Sequence, residues 1–435
     1  MTHPLSIGLA GLGTVGVGLL RLLAQNADLI TARAGRPVIV TAVSARDRGR
    51  DRGVSLAGLH WHDNPVALAA DPSIDVVVEL IGGAEGPARD LVESALAERK
   101  PVVTANKALL AVHGAALAHA AEAAGVPLAF EAAVAGGIPV IKALREGLAV
   151  NRIARVTGIL NGTCNYILTR MTDEGRDFAE ILADAQRLGY AETDPSFDID
   201  GIDAAHKLAI LAALAFGRPV AFEAVHVEGI RAISTLDIGF ARELGYRIKL
   251  LGIASSVDPG ASEAGIEARV HPAMVPEHAP IARVDGVFNA IVIEGDFVGR
   301  VMLEGRGAGA GPTASAVAAD LIDIARGRAT PVWGASAGSL STSPSVPIGQ
   351  HVGPYYLRLM VVDRPGVIAD VTAILRDQGV SLESMLQRGR APGEAVPVVL
   401  VTHETRESAM RSALGRIAAL DAVMEKPTLV RIEAD

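Results

Sequence analysis

A single cysteine, Cys164, stands among 435 residues, so no disulfide can form within the chain, which fits a reducing compartment. Aromatic residues make up only 3%. No apolar run reaches the roughly 18 residues that a membrane span requires. The opening MTHPLSIGLAGLG has no basic n-region and runs straight into an apolar strand, unlike a signal peptide. Together these absences lead to the expectation of a cytoplasmic protein with no membrane contact. The formal charge of −9 argues against nucleic acid as a partner, because phosphate contacts need clustered Lys and Arg. Lysine is rare too. Of 40 basic residues only six are Lys, at positions 100, 107, 142, 207, 249 and 426. Where Arg is the default cation, a retained Lys carries information, since its protonation can be tuned and arginine's cannot.

What is present begins with glycine. LSIGLAGLGTVG reads as a strand over 5–10 that runs into Gly11, Gly13 and Gly16, with a helix over 14–24 opening at Thr14 and Val15. Such a turn lets the backbone approach a pyrophosphate and aims a helix N-terminus at it. Further strands at 37–43, 74–80, 101–105 and 127–130 alternate with helices at 87–99 and 107–124, the pattern of a Rossmann-type, doubly wound parallel sheet. The nucleotide-binding domain is expected over 1–135 and again over about 308–335. The second strand ends in VSARDRGR. An acid there would bind ribose hydroxyls, whereas Arg46 pairs with a 2′-phosphate, which favours NADP(H). Asp47 leaves NAD(H) open.

The stretch YAETDPSFDIDGIDAAHKLAI places Glu192, Asp194, Asp198, Asp200 and Asp203 within twelve positions, followed by Lys207. Asp203 and Lys207 are four apart and share a helix face. Asp194 and Asp200 lie in TDP and DG, which is turn chemistry. Glu192 and Asp198 suit a cationic amino group. A lysine in a partly desolvated pocket can serve as a proton donor, because burial lowers its pKa toward neutrality.

VVTANKALL (102–110), FEAAVAGGIPVI (130–141), GILNGTCNYIL (158–168), this acidic stretch and GAGAGPTASAVAADL (307–321) occur in that order. Taken together, the chain resembles the homoserine dehydrogenases, which interconvert aspartate 4-semialdehyde and homoserine. The resemblance implies Lys207 as proton donor, and Lys107 as a second active-site lysine near cofactor and substrate. It implies Asp203 as a catalytic and substrate-binding acid. Glu192, Asp198, Gly162 and Thr163 would contact substrate, and Gly311 would lie near the nicotinamide. The irregular loop of Gly136, Gly137 and Pro139 leaves carbonyls free for a hard cation. The resemblance implies a structural monovalent ion, Na+ or K+, on backbone oxygens of Glu131, Val134, Gly136 and Ile138. No His, Cys and Asp cluster has transition-metal spacing, and the eleven His are scattered. Cys164 supports one alternative, an acylating semialdehyde dehydrogenase with a thiol nucleophile. A non-catalytic sensor of nucleotide and amino acid is another.

The α+β segment 136–307 is expected to bind substrate and form a dimer. Its middle, 217–305, has mixed signals, with a helix then a strand over 233–254. Residues 336–353, rich in Gly, Ser and Pro, read as a linker or extended arm. Residues 354–435 give βαββαβ, a ferredoxin-like pattern that resembles an ACT domain. That resemblance implies an effector site at Asp363, Arg364, Gly366 and Val367, with threonine as feedback inhibitor. A lone domain of this kind leaves a sheet edge exposed, so a homodimer or homotetramer is expected. The first strand begins at residue 5, so a monofunctional enzyme is expected.

Overall fold

The computed structural model describes residues 3–257, 265–341, 343–388, 391 and 393–433. Six parallel strands form the first sheet: β1 (Leu5–Ala10), β2 (Val38–Ser44), β3 (His60–Trp61), β4 (Val76–Glu79), β5 (Val102–Thr104) and β6 (Leu128–Ala129), in the order β3-β2-β1-β4-β5-β6. Every residue of β1 and β4 is buried, as expected for strands covered by helices on both faces. The order reverses between β1 and β4, and a crevice opens at the carboxyl ends of strands at such a point. The helix Ala310–Ala325 returns to this sheet. Val317 and Leu321 share a core with Leu5, Ile7 and Leu9. Pro312 falls within the first turn of this helix.

The second sheet begins with β7 (Ile153–Ile159), β8 (His226–Val227), β9 (Tyr246–Val257), β10 (Gly265–Pro276), β11 (Phe288–Gly295) and β12 (Gly299–Arg306). The buried helix Ile202–Phe216 packs on β7, β9 and β10. The C-terminal segment adds β13 (Val352–Gly353), β14 (Tyr355–Val362), β15 (Leu382–Gln387), β16 (Ala395–Thr402), β17 (Thr405–Arg406) and β18 (Thr428–Ile432). Four of these, in the order β18-β14-β16-β15, make the expected ferredoxin-like sheet. That sheet does not stand alone. β18 pairs in parallel with β10, Ala273 with Arg431 and Met274 with Ile432, so one ten-stranded sheet runs through both regions. The edge at β18 is covered by the same chain.

The described residues 343–353 form the arm rather than a free spacer. Ile266 N donates to Pro344 O at 2.9 Å, and Val346 N donates to Ile266 O at 2.8 Å, which pins the arm along β10. Two short elements, β3 and the helix Ala67–Ala70, had no sequence signal. Both are too brief to show a period. No helix among the described residues is long and apolar enough to cross a membrane.

Candidate active site

A cavity of about 540 Å³ lies where the helix ends of the first sheet meet the substrate region. The helix Lys107–Ala124 delivers Lys107 to it. The turn before that helix is fixed by a chain of buried bonds. Thr104 Oγ1 donates to Glu79 at 2.6 Å, Asn106 N donates to Thr104 Oγ1 at 2.9 Å, and Asn106 Oδ1 accepts from Leu109 N at 3.1 Å. A side-chain cap of this kind stabilises a helix start by ~1 kcal/mol. Lys107 therefore stands at a fixed helix origin.

The helix Ile202–Phe216 supplies Asp203 and Lys207, 5% and 8% exposed. Lys207 Nζ donates to Asp203 Oδ2 at 2.7 Å and to Leu160 O at 2.7 Å. Lys107 Nζ lies 3.1 Å from the other oxygen, Asp203 Oδ1. Burial alone would raise the Asp203 carboxyl, but the ammonium groups of Lys207 and Lys107 outweigh it and hold Asp203 below the usual carboxylate range. Asn161 donates through Nδ2 to both Asp198 and Asp203 at 2.8 Å, and its Oδ1 caps the helix Gly162–Glu174 through Cys164 N at 2.8 Å. Asp198, half-buried, is pushed up by desolvation and by neighbouring Asp203. The result is two lysines and two carboxylates joined by one asparagine.

Gly162, Thr163, Asp198, Asp203, Lys107 and Lys207 thus all line one cavity. Val15 and Gly136 line it as well, while Gly11, Gly13, Thr14 and Gly16 form the adjoining turn. Two sequence candidates do not reach it. Glu192 is exposed, just past the rim residue Tyr190, and Gly311 lies within a helix whose approach is made instead by Gly307, Ala308 and Gly309. Asp194 and Asp200 are in turns, as expected: Asp194 accepts from Ser196 N, and Asp200 pairs with Arg231.

The turn at Gly11 fits a dinucleotide. Gly11 has φ +98°, and a Cβ there would lie 2.4 Å from Leu80 O; one at Gly16 would lie 2.1 Å from Gly11 O. Gly13 faces open space, and no side chain caps the helix Thr14–Gln25, so its first amides remain available to an anion. Arg46 is exposed beyond β2, whereas Asp47 Oδ1 accepts from the amides of Gly49 and Arg50 at 2.9 and 3.2 Å.

Around the implied cation loop, the buried Glu131 carboxylate accepts from Ile141 N and Lys142 N at 2.9 and 2.8 Å. Desolvation first, then Asp320, pushes it up to about 7. Ala135 and Gly136 both have positive φ, at 55° and 50°, which turns this short segment sharply. Ile138 O already accepts from Val140 N at 2.8 Å. Val134, like Glu131, is buried. In the C-terminal region, Gly366 (φ +96°) opens the helix Val367–Asp377, Arg364 is exposed, and Asp363 Oδ2 accepts from Ala391 N at 2.9 Å.

Three features escaped the sequence. Asn161, the bridge between the two carboxylates, was not among the sequence candidates. Asn289, 1% exposed, lines the cavity, and its Oδ1 has no hydrogen-bond partner among the described residues. The histidines are not all scattered: His60, His62 and Asp71 converge, because alternate strand residues share a face and the chain turns back on them. Cys164 is fully buried. Desolvation, then Asp198 and Asp203, pushes its thiol well up, and Sγ points at Asp198 O, 3.2 Å away. Among the described residues no base is hydrogen-bonded to Cys164 Sγ to form the thiolate that an acylating mechanism needs.

Comparison with known proteins agrees with this geometry. Residues 11–131 match the family "Homoserine dehydrogenase, NAD binding domain", residues 139–322 match "Homoserine dehydrogenase", and residues 355–420 match "ACT domain". The homoserine dehydrogenase of Pseudomonas aeruginosa is 46% identical over 439 residues, covering 99% of each chain. A crystal structure of a homoserine dehydrogenase from Thiobacillus denitrificans is 49% identical with a TM-score of 0.92, over 99% of this chain and 98% of that one. A hyperthermophilic archaeal homoserine dehydrogenase in complex with NADPH is 28% identical with a TM-score of 0.62, over 74% of this chain and 97% of that one.

Proposed function

The chain belongs to the homoserine dehydrogenase family, and from that premise we propose how its own residues carry out the oxidoreduction of aspartate 4-semialdehyde and homoserine in amino-acid biosynthesis. The observation that carries the reading is the Lys207 ammonium, held by Asp203 and Leu160 O at the cavity wall. An ammonium has three N–H donors. Two are committed, and the third is left for the substrate's carbonyl oxygen. The nicotinamide, when bound, supplies the hydride. As the aldehyde carbon accepts it, Lys207 gives a proton to the nascent alkoxide and is reprotonated from solvent. Asp203 orients both lysines and keeps Lys107 at the reacting end. Asp198 and the unpartnered Asn289 Oδ1 accept from the substrate's α-ammonium. Thr163, whose hydroxyl donates to Tyr190 O at 2.7 Å, shapes the wall beside them. Glu192 contributes charge at the rim.

NADP(H) is the preferred cofactor, with NAD(H) accepted more weakly. Arg46 makes no ion pair among the described residues, while Asp47 is occupied by its own turn. The NADPH bound by the archaeal relative supports this choice. A structural Na+ or K+ would be held by backbone oxygens of Glu131, Val134, Gly136 and Ile138, where it would supply positive charge beside the buried Glu131 and Asp320. Threonine binds at Asp363, Arg364, Gly366 and Val367 and inhibits. The active form is a cytoplasmic homodimer or homotetramer.

The deciding experiment follows NADPH absorbance with aspartate 4-semialdehyde on wild type and Lys207→Ala. Robust wild-type turnover with a loss of ~10²-fold or more in kcat supports the donor role. A small loss in Lys207→Ala with a large one in Lys107→Ala would move the proton to Lys107. No wild-type turnover with either nicotinamide cofactor would sink the mechanism.

A further inference from the structure

His60 opens β3, the edge strand of the six-stranded sheet, and His62 directly follows it, still bonded to β2 through His62 N to Val43 O at 2.9 Å, with Trp61 between the two histidines. Alternate residues of a strand project to one face, so both imidazoles share a side. Asp71 follows the one-turn helix Ala67–Ala70, where the chain has turned back toward that face. His62 Nε2 is 3.0 Å and His60 Nδ1 3.4 Å from the same oxygen, Asp71 Oδ2, and the three ligand atoms lie within 4.8 Å of one another. The two rings are 4.3 Å apart, tilted by 57°. The other carboxylate oxygen is already engaged: Oδ1 accepts from Ser73 N at 2.9 Å and Ser73 Oγ at 2.6 Å. Ser73 therefore fixes the carboxylate so that Oδ2 alone faces the imidazoles. One hydrogen bond would need only one imidazole. Two nitrogens and one oxygen, converging from two elements, is a ligand set.

We propose that His60 Nδ1, His62 Nε2 and Asp71 Oδ2 form a binding site for one borderline divalent cation of the Zn2+, Co2+ or Ni2+ type, with water completing its coordination. Around tetrahedral Zn2+, neighbouring ligands lie about 3.3 Å apart, so the two nitrogen–oxygen separations of 3.4 and 3.0 Å need shifts of only a few tenths of an ångström, while the two nitrogens start within 4.8 Å of each other. Two imidazoles with one carboxylate favour these ions over Mg2+ and Ca2+, which take mostly oxygen. The site is open on one side, since the His60 side chain is 66% exposed, and that gives an ion entry. Lys100 limits affinity, because its ammonium donates to the Asp71 carbonyl and sets a positive charge nearby. Micromolar rather than nanomolar binding follows. A bound ion would clip the edge strand to the turn that leads into β4. Trp61 projects to the opposite face, where Arg48 and Arg52 lie 5.8 Å from its ring, so the clip would also steady the loop beyond β2.

The test titrates the EDTA-treated full-length protein with Co2+ and then Zn2+, reading the visible Co2+ bands, metal bound per chain, and Tm. The expected result is one Co2+ per chain, displaced by Zn2+, with a metal-dependent rise in Tm. His60→Ala and His62→Gln should each weaken binding at least about tenfold and abolish the Tm rise, whereas His119→Ala, at an exposed helix position, leaves both unchanged. Because the readout is binding, a loss of enzyme activity in a variant does not confound it. The proposal is overturned if wild type shows no saturable binding up to roughly 100 µM free metal. It is equally overturned if either His60→Ala or His62→Gln binds the metal as tightly as wild type.

Discussion

Asp203 is the residue on which the site turns, because it is the common partner of both lysines and of Asn161. Asp203→Asn keeps the shape and removes the charge. Two ammonium groups are then left beside a neutral amide in a buried wall, and kcat should fall about 100-fold with circular dichroism unchanged. Asn289→Ala belongs to the same scale but acts on binding. It removes an acceptor for the substrate's ammonium, so KM for the semialdehyde should rise about tenfold with kcat nearly unchanged. A fall in kcat alone would assign Asn289 to the chemistry instead. For Arg46→Ala, KM for NADPH should rise about tenfold while KM for NADH barely moves. Equal effects on both cofactors would remove Arg46 from the reading of the 2′-phosphate.

At the scale of elements, the helices Thr14–Gln25 and Ala310–Ala325 cross closely at Gly18, where a Cβ would lie 2.7 Å from Ala310 O. That contact is backbone and cannot step aside. Gly18→Ala should therefore push the helices apart, at a cost of about 1–3 kcal/mol, seen as a lower Tm by calorimetry. The same shift moves Gly309 and the helix start at the cavity, so NADPH should protect the variant less against heat than it protects wild type. Wild-type protection in Gly18→Ala would show that the cofactor site does not depend on this crossing. The strand–turn–helix pattern at Gly11 to Gly16 was readable because each glycine answers a local demand. The crossing at Gly18 was not, since its partner lies nearly three hundred residues away.

Over the whole molecule, the ACT domain and the substrate region are joined by a buried ionic seam as well as by shared strand pairing. Glu433, after β18, accepts from Arg269 at 2.8 and 3.0 Å and from Arg155 of β7 at 2.6 Å. Arg431 pairs with Glu407 at 2.6 Å and Glu228 at 2.9 Å. Burial would raise the Glu433 carboxyl, but Arg269 and Arg155 bring it down from the ordinary 4.5 to about 2. A depressed acid stabilises the fold above its unfolded pKa, and that stability is lost as pH falls through the folded value. The contribution, on the order of 3 kcal/mol, should be complete above about pH 4.5 and fade toward pH 2. Glu433→Gln should lower Tm at neutral pH, and its deficit against wild type should close as pH approaches 2. A deficit that stays constant with pH would mean the seam is held by shape rather than charge. β7 carries Arg155 and ends at Ile159, next to Leu160, whose carbonyl holds Lys207, so one strand leads from the seam to that lysine.

The sequence by itself determined the alternating strands and helices, the glycine turn, the pairing of Asp203 with Lys207, and the C-terminal βαββαβ unit. Each rests on a period or a turn residue within about a dozen positions, where local sterics and hydrogen bonding decide. The tertiary structure alone decided which acids of the crowded stretch face the cavity. Asp198 does so because Asn161, 37 positions earlier, reaches it, while Glu192 turns to solvent. It decided that the ferredoxin-like unit continues the catalytic sheet, since a free strand edge at β10 found its partner in β18. It also gathered His60, His62 and Asp71. These contacts join segments far apart in the chain, and packing of the assembled elements, not any local pattern, brings their atoms within bonding distance.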